Sequence, residues 1–265
     1  MSQNGISIST TNLTKVYTRG NEKIVSVNNV SFLINKGEFV SIIGPSGSGK
    51  TTLINLLGCL DNPTTGAISL GGRSIFGNGN RLSERELTKI RRETFGYIFQ
   101  NFYLIPTLTV MENVMLPLTF YSKPGVEKET SRLLRLLGIE HRKDHLPAQI
   151  SGGEMQRVAI ARAMVNKPEI LLADEPTGNL DTKRSQEIVQ VLKGLNHEVG
   201  LTVIMVTHNP ELARYADRMF QMKDGRITEA DLDADPEEES SRVQALDVYK
   251  YVKAGKTDHH LTKEE

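Results

Sequence analysis

The chain has too little cysteine for a disulfide framework, no long apolar run and no net charge. A single cysteine, Cys59, excludes an internal disulfide and fits a reducing compartment. It lies in the apolar run of residues 56–60, where a small buried filler is expected rather than a reactive thiol. No apolar run approaches the ~18 residues that span a bilayer. The polar start, residues 1–5, carries no signal-peptide core. A soluble chain is expected, with any membrane role coming through a partner. The 32 basic and 32 acidic residues cancel, but unevenly: residues 229–265 hold 11 acids and 5 bases, leaving 21 and 27 in residues 1–228. The body is therefore +6 and the tail −6, and that tail either stays solvated or folds back on the body.

What the chain does contain is a phosphate-binding pattern. Residues 38–57 read as a strand, a glycine-rich turn and a helix, with Gly44, Gly49, Lys50 and Thr51 filling G-x-x-x-x-G-K-[ST]. Glycines let successive N–H groups curl around phosphate oxygens, and the helix N-terminus adds partial positive charge behind them. In this pattern Lys50 reaches the β and γ phosphates and Thr51 holds Mg²⁺.

Length allows one large α/β domain, or a core with a smaller subdomain. Residues 6–18 and 24–34 alternate apolar and polar, the period of half-exposed strands in an antiparallel lobe. Tyr17 ends the first of them, a packing residue on pattern alone. A turn at 61–66, a strand at 67–70, a charged helix at 83–92 and an apolar strand at 95–100 ending in Gln100 follow. Residues 105–150 switch to helical periodicity, which predicts a helical subdomain inserted in the α/β core. Ser151 and Glu154 have the spacing of a capping box at the start of another helix. Gly152 and Gly153 behind that cap cost helix stability, so a second phosphate-contacting helix end is the sharper reading beside a plain cap.

Residues 169–175 form an apolar run that ends in two acids, as a buried parallel strand does where it emerges at the ligand-binding edge of its sheet. There Asp174 is placed to bind Mg²⁺ opposite Thr51, and Glu175 to accept a proton from an attacking water. A helix is expected at 182–195, and residues 201–208 repeat the buried-strand pattern with His208 at the end. A hairpin around Lys223, Asp224 and Gly225 closes the domain. In the tail, Val243, Leu246, Tyr249 and Val252 form an apolar stripe, read either as a short docked helix or as disorder.

Together these residues resemble the nucleotide-binding subunit of an ATP-binding cassette (ABC) transporter over residues 6–228. Gly44 to Thr51 matches that family's phosphate loop, Gln100 its Q-loop, and Ser151 to Glu154 its signature. Asp174 and Glu175 match the second nucleotide motif, Asp181 belongs to the D-loop, and His208 is the switch histidine. Tyr17 falls where the family places an aromatic against adenine. Residues 174–181, 58–61 and 99–102 are similar to the branch serving macrolide exporters and lipoprotein-releasing complexes. Ile150, Met155 and Ala173 depart from the usual signature and strand residues by apolar or helix-compatible exchanges.

The resemblance implies an α/β fold: a P-loop NTPase core with a mainly parallel sheet, an N-terminal antiparallel β lobe and a helical subdomain at about 101–165. The ATPase domain spans 1–228, and 229–265 is a charged extension. The implied ligands are ATP and Mg²⁺. ATP contacts fall to Tyr17, Gly44, Pro45, Ser46, Gly47, Ser48, Gly49, Lys50, Thr51 and Thr52, with Ser151, Gly152, Gly153, Glu154 and Asp181 acting across a head-to-tail homodimer. The metal falls to Thr51, Gln100 and Asp174, and catalysis to Glu175, His208, Lys50 and Gln100. The chain would hydrolyse ATP on the cytoplasmic face of the inner membrane and drive a separate transmembrane permease, its only membrane contact, with no nucleic-acid role. A regulatory ATPase of the cell-division type, moving no solute, is the alternative. Relatives acting on DNA or ribosomes carry a long coiled-coil insertion or two cassettes, whereas here Lys50 and Asp174 lie 124 positions apart.

Overall fold

The computed structural model describes residues 5–77, 79–119 and 125–230. Two sheets form, and the sequence periods explain which residue goes where. Strands β1 (Ile6–Arg19) and β2 (Glu22–Asn35) make a long antiparallel hairpin. With β4 (Thr65–Leu70), β5 (Arg73–Gly77) and β6 (Asn80–Arg81) they complete a five-stranded sheet in the order β2-β1-β4-β5-β6.

The second sheet contains β3 (Phe39–Ile43), β7 (Phe95–Ile98), β8 (Ile170–Asp174), β9 (Thr202–Thr207), β10 (Arg218–Lys223) and β11 (Arg226–Ala230), ordered β11-β10-β3-β9-β8-β7. All its pairings are parallel except β10 with β11. Its central strands are buried on both faces, which is why they read as unbroken apolar runs. Alternate residues feed two separate cores. Val40, Ile42, Ile170, Leu172, Ile204 and Val206 pack with helix α1 (Lys50–Leu57) and the antiparallel lobe, so α1 is wedged between the sheets. Phe39, Leu171, Ala173, Val203 and Met205 face the other way. They pack with α3 (Val110–Met115), α4 (Val126–Leu136), α5 (Gly152–Met164) and α6 (Thr182–Val199).

Helix α2 (Glu84–Thr94) starts on a Ser83–Glu86 capping box, and the short α7 (Pro210–Ala213) is capped by Asn209. Several bounds differ from those expected. The strand before Gln100 ends at Ile98, α6 runs four residues past Leu195 until Gly200 caps it in the left-handed region, and β11 continues to Ala230 because Glu229 pairs with Phe220. Cys59 is buried, and that burial pushes its thiol up to about 11, as expected of an inert filler. The predicted tail stripe lies outside the described residues. Among the described residues no helix is long and apolar enough to cross a membrane.

Candidate active site

The ends of β3, β8 and β9 and the first turn of α1 meet at one cleft of about 600 Å³. It is lined by Ser26, Ser46, Gly47, Gly49, Lys50, Thr51, Thr52, Gln100, Glu175 and His208. Nine of these ten stand in sequence motifs spread between residues 46 and 208, and the parallel register of β3, β9, β8 and β7 joins them.

Helix α1 leaves its first-turn N–H groups open. Gly49, at its N-cap, has φ 107° and no side chain to cap with, and the first turn contains no acid. Gly47 sits at φ 79° with open space where a Cβ would go, so the loop there can close on a bulky anion. Gly44 and Gly49 are glycines for a different reason. A methyl on Gly44 would lie 2.2 Å from the Met222 carbonyl oxygen, and one on Gly49 would lie 2.1 Å from that of Ser26. The loop therefore rests on β10 and β2. Gly225, in the β10–β11 turn, ties them together: its N–H donates to Ser48 O at 3.0 Å and its carbonyl accepts from Asn28 N–H at 2.8 Å.

Lys50 is buried, its Nζ donating to the carbonyls of Gly44 (2.7 Å) and Pro45 (3.0 Å). Glu175 Oε1 lies 3.8 Å from that ammonium, and Glu175 Oε2 accepts from His208 Nδ1 at 2.8 Å. The Glu175 backbone is left-handed at φ 47°, a conformation held by hydrogen bonds from its own N–H to Val206 O and from Gly178 N–H to its carbonyl. These contacts aim the carboxylate into the cleft between a lysine and a histidine, where it can take a proton from a water.

Thr51 Oγ1 donates to Asp174 Oδ1 at 3.2 Å. Burial pushes the Asp174 carboxyl above its ordinary range, the nearby Glu175 adds to that, and the Thr51 hydroxyl and Lys50 oppose it. A half-buried carboxylate beside a hydroxyl is an oxygen donor set for a hard cation, which would relieve that desolvation. Among the described residues no group of three or more His, Cys, Asp or Glu could hold a metal. A cation here would therefore keep most of its shell for phosphate oxygens and water, as Mg²⁺ does.

Gln100 lines the same cleft. Its side chain lies over Gly178, where a Cβ would come within 2.8 Å of it, and its carbonyl accepts from Asn179 Nδ2 at 2.9 Å. Pro45 and Ser48 stand in the loop but do not line the cleft, and Asp174 reaches it through Thr51.

Tyr17, Ser151, Gly152, Gly153, Glu154 and Asp181 do not line it either. The Ser151–Glu154 capping box does form: Ser151 Oγ accepts from Glu154 N–H, and Glu154 Oε2 accepts from Ser151 N–H at 2.7 Å. Gly153 fits beneath Arg184, whose Cδ would stand 3.2 Å from an added Cβ, and Gly152 faces Leu180. Asp181 caps α6 through Arg184 N–H. One lining residue carries no motif. Val16 pairs with Val25 and Lys15 with Val27, so Ser26 is the extra residue of a β-bulge. The bulge turns its hydroxyl to Thr52 Oγ1, 2.8 Å away.

The chain is similar to known proteins over most of its length. Residues 27–178, more than half of the chain, match the ABC transporter family. MJ0796, an ABC transporter ATP-binding protein of Methanocaldococcus jannaschii, is 49% identical over 222 residues, covering 82% of this chain and 93% of its own. The macrolide export ATP-binding/permease protein MacB of Chlorobaculum tepidum is 45% identical over 219 residues, 82% of this chain but 33% of its own, so this chain spans about a third of MacB. A dimeric structure of MJ0796 in a post-hydrolysis state, bound to ADP and Pi, aligns with a TM-score of 0.78 at 46% identity, covering 86% of this chain and 99% of that one. The chain belongs to the ABC transporter family.

Proposed function

We propose that the chain is the ATP-hydrolysing subunit of an exporter or lipoprotein-releasing complex, and that it powers a separate permease from the cytoplasmic face of the inner membrane. The observation that carries the reading is the Lys50–Glu175–His208 chain set above Thr51 and Asp174, in front of an uncapped helix. The open N–H groups of α1, with Lys50, bind the phosphates of ATP. Thr51 and Asp174, with Gln100, hold Mg²⁺, which supplies charge neutralisation at the phosphates when bound. Glu175 takes the proton of the attacking water, and His208 holds Glu175 in place while offering its ring to the γ-phosphate side.

Two copies act together. The dimeric arrangement of the MJ0796 structures supports a sandwich in which the Ser151 end of α5 in one copy faces the phosphate loop of the other. Hydrolysis then removes the ligand that joins the copies, and the motion passes through Gln100, which Asn179 ties to the loop before α6. A permease partner is supported by the MacB relatives, whose names join ATP-binding and permease functions. The absence of any integral membrane protein from a complex purified gently out of membranes would remove that part of the reading.

The central test is Glu175→Gln. Its expected result is loss of ATP turnover by roughly 10²-fold or more, with an ATP-bound dimer accumulating on size-exclusion chromatography. A variant that remains monomeric and turns over ATP at the parental rate sinks both the base assignment and the sandwich.

A further inference from the structure

Outside the lining of the cleft, on β1 and the loop after α1, lies a three-residue network that the ATPase chemistry does not use. Tyr17 lies on β1 opposite Ile24 and is 40% exposed. Its hydroxyl donates to Asp61 Oδ2 at 2.8 Å. The other oxygen of that carboxylate accepts from Lys15 Nζ at 2.6 Å and from Asn62 N–H at 2.7 Å. Lys15 Nζ also donates to the Asn62 carbonyl at 2.7 Å and stands 4.9 Å from the centroid of the Tyr17 ring. Its side chain is 12% exposed, so this ammonium is largely withdrawn from water.

Lys15 and Tyr17 are two residues apart on one strand and therefore share a face. Asp61 comes from the loop after α1, the helix that carries Lys50 and Thr51. Burial pulls the Asp61 carboxyl up, but the hydrogen bonds from Lys15, Tyr17 and Asn62 outweigh it and hold it below the usual range, so it stays ionised and keeps both partners. The Tyr17 hydroxyl also feels Thr52, whose own hydroxyl bonds Ser26 in the cleft wall. An exposed tyrosine on a hairpin would ordinarily rotate freely. Here it is tethered at the hydroxyl, covered on one face by a cation, and joined to the phosphate end through α1.

We infer that Lys15 and Asp61 are positioning residues that fix the Tyr17 ring as a one-sided platform for the purine base of the nucleotide. The physical reason is twofold. A tethered ring loses little conformational freedom when a base stacks on it. A cation over one face also draws π density to that side, leaving the other face less repulsive to an electron-rich purine. The inference rests on reading Tyr17 as the adenine contact, so its test must separate the two.

The experiment uses the full chain and four variants: Lys15→Met, Lys15→Arg, Asp61→Asn and Tyr17→Ala. Three quantities are measured for each: KM for ATP, kcat, and the inhibition constant of inorganic tripolyphosphate, which offers phosphates without a base. The expected result for Lys15→Met and Asp61→Asn is a KM raised roughly two- to thirty-fold, with kcat and tripolyphosphate inhibition unchanged. Lys15→Arg keeps the cation and stays near the parental KM, while Tyr17→Ala rises at least as far as either. If Tyr17→Ala raises KM but neither Lys15→Met nor Asp61→Asn does, the platform stands and the positioning role is overturned. If Tyr17→Ala changes nothing, the adenine reading fails and takes this inference with it. Tripolyphosphate inhibition weakening in parallel with KM would place Lys15 and Asp61 in support of the phosphate loop and overturn the proposal. Asp61→Asn preserves size; should it fold poorly, the Lys15 pair decides alone.

Discussion

Helices α1 and α5 both begin at glycines, and their first turns treat the same unpaired N–H groups in opposite ways. At α1 no side chain among the described residues caps them: Gly49 has no side chain, no acid stands in the first turn, and the cleft is in front. At α5 the chain supplies its own acceptors, Ser151 Oγ and Glu154, and Arg142 further neutralises the carboxylate. A helix end that satisfies itself can form without a ligand. One that does not must wait for an anion or water. The two ends are therefore unequal partners in any shared site: α1 gains most from phosphate, whereas α5 is prebuilt and contributes the N–H groups its cap leaves over.

The glycines give the sharpest way to break this comparison. Gly49→Ala drives a methyl against backbone oxygen at 2.1 Å, in a conformation with φ 107° that alanine resists. The expected outcome is loss of measurable nucleotide binding by isothermal titration, with a lowered unfolding midpoint. Unchanged ATP affinity would show that the loop is not held against Ser26 and Met222. Gly153→Ala meets only the flexible Arg184 side chain at 3.2 Å, so the fold should survive. ADP binding to the single chain should be unaltered, while turnover in the dimer falls about ten-fold, the cost of one misplaced donor contact at roughly 1.4 kcal/mol. Equal losses in both assays would mean that the two helix ends do not divide the work as described.

The smallest effect concerns pH. The Glu154 carboxyl is held down to about 2, first by the Ser151 N–H and then, against its own burial, by the Ser151 hydroxyl and Arg142. A depressed carboxyl stabilises the fold fully above its unfolded value near ~4.3 and loses that contribution as pH falls toward the folded one. Amide exchange in the first turn of α5 should therefore quicken relative to mid-helix amides between those limits, and Glu154→Gln should flatten the change. The first turn of α1 has no such group, and its exchange should respond to phosphate instead.

How much of this was legible follows from how far apart the cooperating residues lie. The phosphate loop, the α5 cap and the acids at the end of β8 are each local, so spacing of a few residues revealed them. Ser26 was not legible because a bulge removes it from the alternation that marks its strand, and its partner Thr52 is 26 positions away. The roles of Met222 and Gly225 arise from contacts across more than 170 residues, which no periodicity records. The Ser151 stretch admitted two readings, a cap and an anion site. The cap is present in the single chain, and the glycines have packing reasons of their own in Leu180 and Arg184.

The floor beneath the phosphate loop carries a consequence for what counts as a minimal unit. The region matched to the ABC transporter family ends at residue 178, yet Gly44 and Gly49 lean on Met222, and Ser48 is pinned by Gly225. A fragment cut at the end of the matched region would retain every phosphate-loop residue and lose the surface on which they are shaped. Nucleotide recognition in this chain is thus a property of its last strands as much as of its signature loop, and its autonomous binding module reaches at least to β11.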